Sequence, residues 1–366
     1  MHLKTQTKEL LFSHFQTYPQ LTPADLLKFL HQSAFGCEHL LAHPSAAVDY
    51  IRKEAQTCVP CSGKLIEELD GQHCRVHLDI LREGLSAETF GKLFFLSASV
   101  VPDGKERLEE KLIALEELLA EGKLPFSPTE VAELISQWRS QGFPARHHSE
   151  EFRTAYHPAY RVIRKDLALF LPLFIQIDHM LADKVSGTQP ESFPLVTLAI
   201  EGGSASGKST LGSVLEQVYG CTLMHMDDFF LQPHQRTPER FAQPGGNVDR
   251  ERFLEEVLQP LNRKESVQYR PFDCSSFTIQ PPVSITPEKL VVIEGAYSMH
   301  PELADHYDFS VFLDIDPALQ KSRINKRNSP AFAQRFFNEW IPMEHRYFEV
   351  MQVQERCNLI IPVKNC

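Results

Sequence analysis

EGGSASGKST, residues 201–210, decides how the rest of this 366-residue chain is read. Gly202, Gly203, Ser204, Ala205, Ser206, Gly207, Lys208 and Ser209 satisfy the pattern G-x-x-x-x-G-K-[ST], and Thr210 follows. Glycines at this spacing let consecutive backbone N–H groups converge on phosphate oxygens. A helix starting at the lysine adds its positive N-terminal potential. Lys208 is then placed to reach β- and γ-phosphates, and the Ser209 hydroxyl to bind Mg2+. Gly202 through Thr210 are therefore expected to hold a nucleotide.

The motif needs a strand before it and a helix after it. LVTLAI (195–200) is a short apolar run of strand length, and LGSVLEQV (211–218) has helical spacing. Further apolar runs follow at CTLMHM (221–226), KLVVIEG (289–295) and FSVFLDI (309–315), with helical segments between them. Such alternation predicts an α/β fold with a parallel sheet flanked by helices. The run CTLMHM leads into Asp227 and Asp228. Carboxylates at the carboxyl end of a parallel strand face the ligand crevice. There, an acid can accept a proton from an attacking hydroxyl.

The ordered series GGSASGKST, HMDDFF, YRPFD, VVIEGAYSMH and FLDIDPALQKSRINKR resembles the uridine kinase and phosphoribulokinase-like group of P-loop kinases. The similarity covers about residues 195–363, less than half the chain. It implies an ATP- and Mg2+-dependent kinase acting on a small-molecule hydroxyl, with the 5′-hydroxyl of a nucleoside such as uridine or cytidine first. Position by position, it implies that Asp227 is the general base and that Asp249 holds ribose hydroxyls. Phe272 and Asp273 would lie beside the base. Glu294 would join Ser209 near the metal. Arg323 and Arg327, four apart on a predicted helix, would close over the phosphates with Lys208. Two departures bear on the acceptor. Phe277 stands near the position of a base-contacting histidine in uridine kinases, and the lid segment NSPAFAQRF is not arginine-rich. Other sugar or vitamin alcohols are the next acceptors.

Residues 1–182 read as a mainly α-helical domain, 183–194 (DKVSGTQPESFP) as a polar linker, and 195–366 as the P-loop kinase domain. Thr22-Pro23 predicts a helix start, with apolar positions recurring through Cys37 and Leu41. The segment 104–121 predicts an amphipathic helix stopped by Gly122, and Ser127-Pro128-Thr129-Glu130 a capping box. CRVHLDI (74–80) alternates like a strand, and LALFLPLFI (167–175) reads as a buried helix containing Pro172. Cys58, Cys61, His73 and His77 form C-x2-C-x11-H-x3-H, near a zinc-finger spacing. A finger would place both histidines on a helix, however, and this segment reads as a strand. Cys37, His39 and His43 read as helix residues. The His-, Arg- and Tyr-rich segment 145–165 either lines a site or packs a domain interface.

Composition narrows the partners. The chain is 42% hydrophobic and 23% charged, with a formal charge of -11. An acidic balance disfavours nucleic acid, whose phosphates are bound by basic surfaces. The longest apolar run is shorter than the roughly 20 residues that span a bilayer, so no membrane role is expected. MHLKTQTKELLF lacks a signal-peptide apolar core, and eight cysteines in this length do not make a disulfide scaffold. A cytoplasmic protein is expected, with a homo-oligomer left open. A nucleotide-binding regulator remains the competing reading, with the amino-terminal domain as its effector.

Overall fold

The computed structural model describes residues 2–37, 43–60, 63–98, 101–187 and 195–364. The chain divides into two compact units, Met1–Asp178 and His179–Asn365.

The first unit is built on helices α1 (His2–Thr17), α2 (Pro23–Phe35), α3 (Pro44–Ala55), α4 (Ala87–Ser97), α5 (Gly104–Ala120), α6 (Pro128–Ser140) and α7 (Glu150–Tyr156). It also holds a three-stranded antiparallel sheet, β1 (Ile66–Glu68), β2 (His73–His77) and β3 (Tyr160–Arg164), with β2 in the centre. The helix α2 begins at Pro23, as Thr22-Pro23 implies, with Thr22 N–H donating to Asp25 at 2.9 Å. It ends at Phe35 rather than running on to Leu41, because Gly36 turns the chain at φ +65°. Cys37 therefore follows the helix and His43 precedes α3, while His39 and Leu41 lie outside the described residues. The expected helix over 104–121 is α5, and Gly122 at φ +66° ends it.

LALFLPLFI is not one helix. The chain turns at Leu169–Phe170, and Pro172 sits in the first turn of α8 (Leu171–Gly187), where its missing N–H costs nothing. Because α8 runs to Gly187, residues 183–187 of the expected linker are helical, and 188–194 lie outside the described residues.

The second unit contains a five-stranded parallel sheet: β4 (Val196–Gly202), β5 (Thr222–His225), β6 (Leu290–Glu294), β7 (Phe309–Ile315) and β8 (Leu359–Val363), in the order β8-β7-β4-β6-β5. Every residue of β4 and β6 is buried, as expected for inner strands of a sheet covered on both faces. The helix α9 (Lys208–Tyr219) packs on β4, β5 and β6, burying Leu211, Val214, Leu215 and Val218. Later come α10 (Pro317–Arg327) and α11 (Ile341–Val350). Two short hairpin-like pairs, Val267–Tyr269 with Val283–Ile285 and Phe272–Asp273 with Thr278–Ile279, lie between β5 and β6 in sequence. Strand β8, not expected from the sequence, is an edge strand. It tolerates Pro362, which has no N–H to give.

The fragment 191–366 is expected to fold alone, because it keeps all five strands of this sheet. It loses the ion pair of Lys184 with Asp308, but such exposed pairs contribute at most about 1 kcal/mol. Circular dichroism on heating should show one cooperative transition, displaced upward by ATP. A molten fragment would mean that the two units share a core.

Candidate active site

Strand β4 delivers the chain to the sheet's carboxyl edge, and residues 202–207 wrap back into α9. Three residues of this turn take positive φ: Gly202, Gly207 and, at φ +61°, Ala205. Gly202 stands at φ +144°, and a Cβ there would lie 2.7 Å from the Leu313 carbonyl oxygen. Gly207 stands at φ +107° and leads into the first turn of α9. Lys208 folds back over the loop and donates to the Gly202 and Gly203 carbonyls at 2.8 and 3.0 Å.

Three side chains from later in the chain brace the same loop. Gln320 of α10 donates to the Ser204 carbonyl at 2.9 Å. Arg323 donates to the Ala205 and Ser206 carbonyls at 3.0 and 3.2 Å. Glu344 of α11 accepts the Ser204 N–H at 2.9 Å and the Ser204 hydroxyl at 2.5 Å. The neighbouring Glu201 is fully buried. It accepts from the N–H groups of Gly202, Tyr297 and Met299 and from the Tyr347 hydroxyl. Burial pushes its carboxyl up to about 7, against those donors and the Lys208 charge. One carboxylate thus ties together the phosphate loop, the turn after β6, and α11.

The acids follow on the adjoining strands. Glu294 ends β6, is buried, and pairs with His225 Nδ1 at 2.7 Å. That hydrogen bond raises the imidazole pKa of His225. Asp227, just beyond β5, keeps its side chain open to solvent. Partial desolvation nevertheless raises its carboxyl above the usual range, with Glu294 adding to the rise and Lys208 opposing it. Asp228 is held differently, accepting from the Tyr269 hydroxyl at 2.9 Å. The two adjacent acids therefore divide: Asp228 is tethered and Asp227 is open to solvent.

Other expected site residues have other surroundings. Asp249 is buried and accepts from the Arg252 backbone N–H and Nε, both at 3.3 Å. Arg252 itself reaches on to the carbonyls of Asp228 and Arg270, over the Phe229 ring. Phe272 is buried, and its ring meets Phe277 edge-on at 6.1 Å. Phe277 is 48% exposed at φ +57°, with the Arg236 guanidinium over its ring at 4.7 Å. Asp273 caps its own turn by accepting from Ser275 and Ser276, which holds its carboxyl below the usual range. Arg327 lies over the Phe336 ring at 5.3 Å. A cleft of about 260 Å³ opens beside the loop, lined by Gly203, Phe312, Gln320, His345 and Phe348. The lysine, two acids and an arginine thus converge on the carboxyl edge of β4, β5 and β6.

A glycine-bounded loop between a buried parallel strand and a helix, with acids at the ends of neighbouring strands, defines a P-loop kinase-type α/β domain. Residues 197–329 match the Phosphoribulokinase / Uridine kinase family. A phosphoribulokinase of Synechocystis sp. is 25% identical over 146 residues, which are 38% of this chain and 43% of that protein. The match thus spans less than half of that relative. Among solved structures, a possible uridine kinase from Bacillus stearothermophilus is 22% identical with a TM-score of 0.38, covering 52% of this chain and 99% of the other. A D-glycerate 3-kinase from Cryptococcus neoformans is 18% identical with a TM-score of 0.36, covering 46% and 84%. Among the described residues, no helix is long and apolar enough to cross a membrane.

If Arg323 neutralises charge developing on the transferred group, as the family resemblance implies, Arg323→Ala is expected to lower kcat by roughly 10- to 100-fold. Steady-state kinetics with ATP varied would check it, and unchanged kcat would confine Arg323 to bracing the loop carbonyls.

Proposed function

We propose that the second unit is an ATP- and Mg2+-dependent kinase that phosphorylates a hydroxyl of a small molecule. What carries the reading is the placement of Lys208 and the open carboxylate Asp227 on one edge of the sheet, with Glu294 beside them. Phosphoryl transfer demands positioning and charge neutralisation more than covalent chemistry. Gly202 through Thr210 would cradle the phosphates, and Ser209 with Glu294 would hold Mg2+. Lys208 and Arg323 would neutralise the transferred group, with Arg327 closing from the same helix. Asp227 would take the proton of the attacking hydroxyl.

The first acceptor class is the 5′-hydroxyl of a nucleoside, uridine or cytidine. The exposed Phe277 offers an aromatic ring against which a base can stack, with the buried Phe272 packed edge-on to it. Asp273 and Asp249 are assigned to the same acceptor side, Asp249 after release from Arg252. A sugar or vitamin alcohol bearing an acidic group is the second reading, favoured by the Arg236 guanidinium over Phe277. An ADP-release screen over nucleosides, sugars and sugar acids tests both. Release that depends on one acceptor supports the kinase. ATP binding with no acceptor-dependent turnover across the panel supports the regulator.

A further inference from the structure

The first unit brings together one mixed set of metal-ligating side chains among the described residues. Cys58 follows α3, His77 ends β2, and Asp79 lies in the 3-10 turn Leu78–Leu81. One donor atom from each lies within 4.8 Å of the others. We propose that Cys58, His77 and Asp79 form a zinc site, with water completing the coordination shell.

The distances fit a small adjustment. Ligands bound to zinc at about 2.0–2.3 Å in a tetrahedron stand about 3.3–3.8 Å apart. His77 Nδ1 and Asp79 Oδ2 are already 3.5 Å apart. The donor types select the metal: a thiolate with an imidazole and one carboxylate suits zinc, whereas magnesium and calcium prefer all-oxygen shells.

The protonation states also fit. His77 is buried at the end of β2. Its Nδ1 accepts the Asp79 backbone N–H at 3.1 Å, which places the proton on Nε2 and a lone pair on Nδ1. Zinc would take that lone pair in place of the N–H. Arg82 pairs with the other Asp79 oxygen, Oδ1, at 3.1 Å, leaving Oδ2 toward His77. Arg82 is half exposed and can remain there while Oδ2 turns to the metal. Binding releases the Cys58 thiol proton to solvent.

This set is not the sequence-level C-x2-C-x11-H-x3-H pattern. His73, at the far end of β2, accompanies Asp70 at 3.6 Å, and Cys61 lies outside the described residues. Asp79 takes the place expected for His73, because strand β2 carries its two histidines to opposite ends.

The test is metal loading of the full chain with Zn2+, and separately with Co2+, followed by desalting. The expected result is about one metal per chain and a thiolate-to-cobalt charge-transfer band. Cys58→Ser should remove that band and weaken zinc binding at least roughly 10- to 100-fold, and Asp79→Asn should also weaken it. Cys58 is partly exposed, so its variant should keep the wild-type circular dichroism spectrum. Wild-type protein that retains no stoichiometric metal overturns the proposal and leaves His77 as a simple cap of the turn. Equal zinc retention in wild type and Cys58→Ser also overturns it, because the metal then sits elsewhere.

Discussion

Lys208→Ala is expected to abolish phosphoryl transfer and to weaken ATP binding. The ammonium group is the cation nearest the phosphate loop on α9, and the β- and γ-phosphates gather negative charge that backbone N–H groups neutralise only in part. In the structure Lys208 rests on the Gly202 and Gly203 carbonyls. Removing those two hydrogen bonds costs stability only about 1 kcal/mol each, so the variant should remain folded. Calorimetric ATP titration and steady-state kinetics on the folded variant check the expectation. Turnover near wild type would mean that the loop does not serve catalysis.

Asp227→Asn should lower turnover by about 10²–10⁴-fold, the usual contribution of a positioned general base. A sugar hydroxyl is a poor nucleophile at neutral pH, and asparagine keeps the shape while losing the proton acceptor. ATP affinity should change little, because the proposed role of the acid is toward the acceptor rather than ATP. Asp228→Asn should cost less, since Asp228 is engaged by Tyr269 and acts by holding its turn. The pH dependence follows from the raised Asp227 pKa. The base works only when ionised, so kcat/KM should fall as pH drops through that raised value, above the usual aspartate range. The residual activity of Asp227→Asn should lose that acidic limb. A larger loss in Asp228→Asn than in Asp227→Asn would exchange the two roles.

The parts of the site that read clearly from sequence are those whose meaning is local. The loop needs its glycines and lysine at fixed offsets, and β4 and β6 stand out because both faces are buried. The bracing groups were not legible, since Glu344 meets Ser204 across 140 residues of chain. Glu201 and His225 matter only because folding sets them against the turn after β6 and against Glu294. The surroundings of Asp249 have a local signal in the sequence: Arg252, three residues on, lies on the same helical face and engages it. Strand β8 has a weak sequence signal, because Pro362 argues against a strand anywhere but an edge. In the first unit the strand expected over 74–80 is only partly present: β2 ends at His77 with all five residues buried rather than alternating, Leu78–Leu81 form a 3-10 turn, and its partner strand β1 is only three residues long. Segment 145–165 likewise contributes within its own unit: neutral His148 donates to Asp25 at 2.9 Å and accepts from Tyr160 at 2.6 Å. Burial lowers the His148 pKa to about 4, which suits that pairing.

The most direct test follows the γ-phosphoryl group itself. Wild-type protein is incubated with γ-labelled ATP, Mg2+ and each acceptor that stimulates ADP release, beginning with uridine and cytidine, and the label is located by chromatography. Label covalently attached to the acceptor is expected, dependent on acceptor concentration and absent in Lys208→Ala. Label found only as ATP or inorganic phosphate with every acceptor would contradict it.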